Sequence, residues 1–183
     1  MVLQIREGAG ADVFASADMP NMQKVVDAKA TAGAPQSFAS NRLTIVVAKG
    51  NPKHVAGLPD LARADLKVAL CGPEVPAGKY ARQALAKANV LVRSVSDEAS
   101  VKALASKVEL GEVDAGIVYV TDAASAKARL DAVPIPESQN LVATYPIAML
   151  ANSRAPAAAA QFVEYVRSPA GQAVLAQFGF GAP

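Results

Sequence analysis

The sequence predicts an α/β protein with a mostly parallel sheet. Three observations carry that expectation. Short apolar, β-branched runs recur along the chain: Arg42–Lys49 (RLTIVVAK), Leu66–Leu70 (LKVAL) and Asp114–Val120 (DAGIVYV). Between them lie stretches with apolar residues at helical spacing, so strands and helices alternate. The runs are nearly continuous in apolar character, as in strands covered on both faces.

The elements follow in order. Met1–Glu7 reads as the last turns of an amphipathic helix stopped at Gly8, and a chain that begins there is expected to be a fragment. Asp12–Ser16 reads as a buried strand. Asp18 can cap the next helix, with Pro20 in its first turn and Met22, Val25, Val26 and Ala28 inward. The strand Arg42–Lys49 is bounded by Asn41 before it and Gly50-Asn51-Pro52 after it. A short helix spans Pro59 to Ala64, and the strand Leu66–Leu70 is closed by Gly72-Pro73. Ala77–Ala88 reads as a helix with Ala81, Leu85 and Ala88 on one side. Ser96 or Asp97 caps a helix running to Leu110, where Gly111 stops it. Thr121 caps a short helix after the strand Asp114–Val120. Val133–Pro136 and Leu141–Leu150 are extended, and helices over Pro156–Arg167 and Pro169–Gln177 end the chain.

Composition narrows the function classes. The chain has 183 residues, 52% hydrophobic and only 19% charged, which excludes a disordered chain. No apolar run reaches the ~20 residues of a membrane span. Eighteen basic residues stand against 16 acidic ones, and they are scattered, so there is no electrostatic footprint for nucleic acid. One Cys and one His cannot build a Cys/His metal site.

Several residues invite a chemical reading that a plainer one outweighs. Gly8-Ala9-Gly10 resembles the start of a phosphate loop but precedes a strand and lacks the rest of the motif, so it reads as a helix stop. His54 lies in a polar turn, and no Ser or Cys nucleophile sits in a recognisable elbow. Cys71 follows a buried strand and reads as a small core residue. Glu74, Asp97 and Asp122 could supply paired carboxylates, but nothing sets their spacing. The chain is therefore not expected to be an enzyme.

Three segments suit a small anion. In Leu70–Ala81 a strand ends, a Gly/Pro turn follows, and a helix opens at Pro76-Ala77-Gly78. The low bulk there lets an anion approach the amides of the first turn. Gly116–Ala123 is also a strand entering a capped helix, with amides from Val118 onward. Tyr145, before Pro146 on a strand, offers a rigidly placed hydroxyl. The plain alternatives are a Pro-started helix, a buried strand and a core aromatic.

Taken in order, these segments resemble the ModA-type solute-binding proteins of molybdate ABC transporters. The pieces are Ala11–Asp18, Asn41–Val47, Pro73–Ala81, Gly116–Tyr119, Thr121–Ala123, Tyr145–Ala148 and the closing Phe178-Gly179-Phe180, so the resemblance covers essentially the whole chain. It implies a two-lobed periplasmic-binding-protein (type II) fold with crossing strands near Thr44–Lys49 and Thr144–Leu150. Lobe 1 would comprise residues 1–46 plus 148–183, and lobe 2 residues 47–147. It further implies a tetrahedral oxyanion, molybdate or tungstate, held by the amides of Ala77 and Val118 and the hydroxyl of Tyr145, with Pro76, Gly78, Tyr119 and Asp122 in support. No cofactor and no metal cation are expected. A set made only of donors selects a fully ionised anion, because a protonated one would bury an O–H without an acceptor.

The resemblance also implies an extracytoplasmic protein, free or lipid-anchored, that serves the membrane permease of an ABC importer. Two further ligand loops, each with a serine, belong to the family upstream of the segment matching Val2–Asp12. Lobe 1 is therefore expected to be incomplete, with binding weakened by roughly 10²–10⁴-fold and a sheet edge open to dimerisation or aggregation. The competing readings are a sulfate- or thiosulfate-binding protein, the effector domain of a transcription regulator, and a deaminase or dehydratase on the same scaffold.

Overall fold

β-Branched residues build the longest strand, which runs through both halves of the protein. The computed structural model describes residues 2–183. In chain order its elements are α1 (Val2–Arg6), β1 (Val13–Ala15), α2 (Met19–Asp27), β2 (Gln36–Ala48), a 3-10 turn (Leu58–Ala62), β3 (Val68–Cys71), α3 (Pro76–Lys87), β4 (Ser94–Glu98), α4 (Val101–Glu109), β5 (Ala115–Tyr119), α5 (Val120–Ser125), β6 (Leu130–Pro134), β7 (Val142–Met149), α6 (Pro156–Arg167) and α7 (Pro169–Gln177). Two compact units divide the chain: Met1–Asn41 with Ala143–Pro183, and Arg42–Val142. The divisions fall at 41/42 and 142/143, where the resemblance puts them at 46/47 and 147/148.

The second unit is a five-strand sheet in the order β6-β2-β5-β3-β4. It is mixed, which corrects the expectation of a mostly parallel sheet. β3 is parallel to β4 and β5, but β2 is antiparallel to both β5 and β6. The reason is connectivity. Strands joined through α3 and α4 must run the same way, whereas β2 arrives from the first unit and its neighbours run against it. Ile45, Val46, Val47, Val68, Ala69, Leu104, Val108 and Ile117 fill the core. Gly116 lets α4 close on β5: a Cβ there would lie 2.8 Å from Leu104 Cδ1.

β4 was not expected. Its pattern Ser94-Val95-Ser96-Asp97-Glu98 alternates, but the inward positions are polar, so no apolar signal marks a strand. Ser94 Oγ accepts from the Leu70 amide at 3.1 Å, and Ser96 Oγ donates to Glu98 at 2.7 Å. The helix predicted from Ser96 or Asp97 begins only at Val101. Its cap is Ser100, whose hydroxyl accepts from the Ala103 amide at 3.1 Å.

In the first unit β1 pairs antiparallel with β7, and β2 lies beside β7. Ile5, Phe14, Met22, Val25, Ala148 and Leu150 pack together with Val2, Ala11, Val26 and Ala30. Asp18 caps α2 as its spacing predicts, accepting from the Asn21 amide at 2.8 Å. The C-terminal residues return to β2, where Ser40 and Gly181 exchange two backbone bonds of 2.9 Å. α6 and α7 bury only Ala159 and Gly171 and leave Phe162, Tyr165 and Val174 exposed, as is Phe178 just after α7. Among the described residues no helix is long and apolar enough to cross a membrane.

Candidate functional site

The chemistry of the second unit gathers at the carboxyl ends of its parallel strands. β3 ends at Cys71, and the turn after it closes with the Val75 amide donating to the Gly72 carbonyl at 2.9 Å. Pro76 opens α3, and the first intrahelical bond runs from the Lys79 amide to the Val75 carbonyl at 3.0 Å. The Ala77 and Gly78 amides therefore lie ahead of the helical ladder. The start of α3 sits directly on the strand end. A Cβ on Gly78 would lie 2.2 Å from both the Cys71 and Gly72 carbonyl oxygens, so only glycine fits without a shift.

Arg82 stitches this corner together. Its Nη1 donates to the Cys71 carbonyl at 2.6 Å and to the Gly78 carbonyl at 3.2 Å, and its Nη2 to Asp97 at 2.6 Å. The cation on α3 is thus matched by Asp97, and the Ala77 and Gly78 amides stay ahead of the helical ladder.

β4 ends beside β3, with the Gly72 amide donating to the Glu98 carbonyl at 2.9 Å. Two residues later Ser100 caps α4, whose first intrahelical bond is Leu104 amide to Ser100 carbonyl at 3.1 Å. The Val101 and Lys102 amides precede it. β5 ends at Tyr119, which is buried. Adjacent parallel strands thus deliver helix starts and a tyrosine to one edge of the sheet, the crevice position at which open α/β sheets take ligands. Sequence reasoning missed the α4 start. The signal was Ser100 followed by Leu104 and Val108 at helical spacing.

The expected site residues fare differently. Ala77 and Gly78 stand at the start of α3 with Pro76. Val118 is fully buried inside β5, opposite Thr44 of β2. Amides alternate sides along a strand. The Ala115 amide reaches Lys67 on the β3 side, and the Leu43 amide reaches Asn140 on the side of β2 away from β5. That parity turns Val118 and Thr44 toward each other, so the Val118 amide points into the sheet. The donor role expected of it does not fit.

Tyr145 belongs to the first unit. Its ring lies 6.3 Å from that of Phe38 and edge-on to Phe180 at 5.7 Å, and its hydroxyl accepts from Asn41 Nδ2 at 3.2 Å. Asp122 accepts from the Tyr119 amide at 3.2 Å; burial pushes its carboxyl above the ordinary range, and that bond pulls partly back. α5 starts at Val120, so Thr121 is not its cap. Burial pushes the Cys71 thiol up to about 11, with the Asp122 and Glu98 charges adding to it. His54 is exposed in its turn. Gly8, at φ +83°, ends α1. Among the described residues no three His, Cys, Asp or Glu side chains converge as a metal site.

Residues 1–181 match the family model described as bacterial extracellular solute-binding protein. The chain is 42% identical over 183 residues to the molybdate-binding protein ModA of Mycobacterium tuberculosis, covering 100% of this chain and 70% of that protein. Two solved structures share the fold at 21% identity. The sulfate-binding protein SubI of Mycobacterium tuberculosis superposes with a TM-score of 0.85, over 98% of this chain and 71% of the other. The periplasmic molybdate-binding protein of Azotobacter vinelandii gives 0.75, over 100% and 83%.

Proposed function

This chain belongs to the bacterial extracellular solute-binding protein family, as a ModA-type molybdate-binding protein, and from that premise we propose how it binds. It holds molybdate, or tungstate, at the carboxyl edge of the parallel strands of the second unit. The Ala77 amide of α3, the Val101 amide of α4 and the Tyr119 hydroxyl are the donors. The observation that carries this reading is the convergence of those helix starts on adjacent strand ends, with Arg82 already matched by Asp97. Amides and a hydroxyl hold a dianion through charge-assisted bonds without a fixed counter-charge.

The chain binds and releases its anion without altering it. The Cys71 thiol stays protonated near neutral pH and His54 stands in an exposed turn, so neither serves as a nucleophile or base for the anion. It works outside the cytoplasmic membrane and passes the anion to the membrane permease of an ABC importer. Copies of the chain associate through the exposed apolar side chains of α6 and α7, Phe162, Tyr165 and Val174.

Thermal unfolding with sodium molybdate, tungstate, sulfate and phosphate tests the reading. A ligand at about 100 times its Kd adds about 2.7 kcal/mol, a shift of several degrees. A shift with molybdate and tungstate alone supports it. A shift with sulfate alone moves the chain to the sulfate-binding class, and no shift with any oxyanion overturns the proposal.

A further inference from the structure

We infer that Asp122 is the positioning residue for Tyr119: its carboxylate holds the Tyr119 backbone where β5 leaves the sheet, and so aims the hydroxyl at the bound oxyanion. The inference rests on the binding site proposed above. It starts from the ladder between β3 and β5, which pairs Val68 with Ala115 and Ala69 with Gly116. Were that ladder to continue, the Cys71 carbonyl would be the acceptor for the Tyr119 amide, since amides facing β3 recur at every second residue. The register ends at Ala69 and Gly116, and Arg82 Nη1 donates to the Cys71 carbonyl at 2.6 Å. Past Gly116 the two strands lead into different helices, and the Tyr119 amide turns to Asp122 Oδ2 at 3.2 Å. The divergence opens the crevice, and Asp122 supplies an acceptor for the Tyr119 amide at its edge.

Asp122 is itself well fixed. Its backbone carbonyl accepts from Ser125 Oγ at 2.8 Å and from the Ala126 amide at 3.1 Å, so the turn carrying the carboxylate is closed on both sides. Tyr119 is the last residue of β5, with φ −79° and ψ 155°. A small change in those angles swings a long aromatic side chain by more than a hydrogen bond tolerates. A half-buried carboxylate beside a dianion site is electrostatically unfavourable for binding, so its presence there needs a compensating task, and holding Tyr119 is one.

A double-mutant cycle on molybdate affinity, by calorimetric titration with sodium molybdate, tests this. Tyr119→Phe is expected to weaken binding by about tenfold, as for one lost charge-assisted bond. Asp122→Ala is expected to weaken it by a similar factor, and the double variant no further than either single one. Asp122→Asn keeps an acceptor for the amide and is expected to recover most of the affinity lost in Asp122→Ala. Multiplying effects in the double variant, or an Asp122→Ala that binds as the parent does while Tyr119→Phe is weakened, overturns the positioning role alone. An unweakened Tyr119→Phe overturns the proposed site, and the inference with it.

Discussion

Asn140 holds Leu43 by both of its backbone groups. The Leu43 amide donates to Asn140 Oδ1 at 3.1 Å, and Asn140 Nδ2 donates to the Leu43 carbonyl at 2.8 Å. The same side chain reaches the Ile135 carbonyl at 3.3 Å and accepts from the Leu141 amide at 2.8 Å. One buried amide thus replaces a missing strand neighbour for β2, just where β6 has ended. Asn140→Ala leaves Leu43 with two buried groups to satisfy. It is expected to cost about 2–4 kcal/mol, read as a lower urea midpoint at unchanged slope.

Gly78→Ala forces a methyl onto two carbonyl oxygens that no side-chain rotation can clear. The start of α3 must move off β3, at a cost of about 1–3 kcal/mol. The molybdate-induced rise in melting temperature should shrink more than this stability loss explains, because the displaced turn carries the Ala77 amide.

Two carboxylates should give opposite pH signatures. Glu98 accepts from Lys107 Nζ at 2.7 Å, and that bond, with the one from Ser96, holds its carboxyl below the ordinary 4.5. A depressed carboxylate stabilises above its unfolded pKa, and the contribution is lost as pH falls through the folded value. Glu98→Gln should therefore melt below the parent at neutral pH, with the gap closing on acidification past about 4.5. Burial raises Asp122 above the ordinary 3.8, so its contribution is complete below that value and is lost as pH rises through the folded pKa. Asp122→Asn should gain on the parent from acid to neutral pH. Melting curves from pH 3 to 8 decide both; parallel curves for either variant count against its assignment.

Cys71 should be inert in the native protein. With its thiol pushed up to about 11, almost none is thiolate at pH 8. Reaction with a disulfide reagent should be at least about 100-fold slower in buffer than in denaturant. Fast native labelling would refute the burial argument.

Phe162 and Tyr165 on α6, Val174 on α7 and Phe178 just after it are large apolar side chains left exposed. Light scattering behind size exclusion should show mass rising with concentration. Phe162→Ser combined with Phe178→Ser should suppress the rise, and a constant monomer mass in the parent would refute self-association.

Much of this protein was legible in its residues. The β-branched runs around Ile45, Val68 and Ile117 mark strands in any context, because their side chains are stiff and apolar. Asp18, three residues before Asn21, marks a cap, and Pro76-Ala77-Gly78 marks a helix start open to an anion; these are local matters, settled by neighbours in the chain. The order of motifs from Asp12 to Phe180 identified the family.

What tertiary structure decided is everything that depends on a strand's partners. Whether the Val118 amide faces solvent or the sheet follows from which strands flank β5 and in what register, and those partners come from distant parts of the chain. β4 became a strand because β3 offers it an edge, although Ser94, Ser96 and Glu98 carry no apolar pattern. The same long-range pairing set β2 antiparallel to β5. It also brought the starts of α3 and α4 to the same edge as Tyr119. Sequence periodicity reports which face of an element is apolar; the direction of each amide is set only when the neighbouring strands are in place.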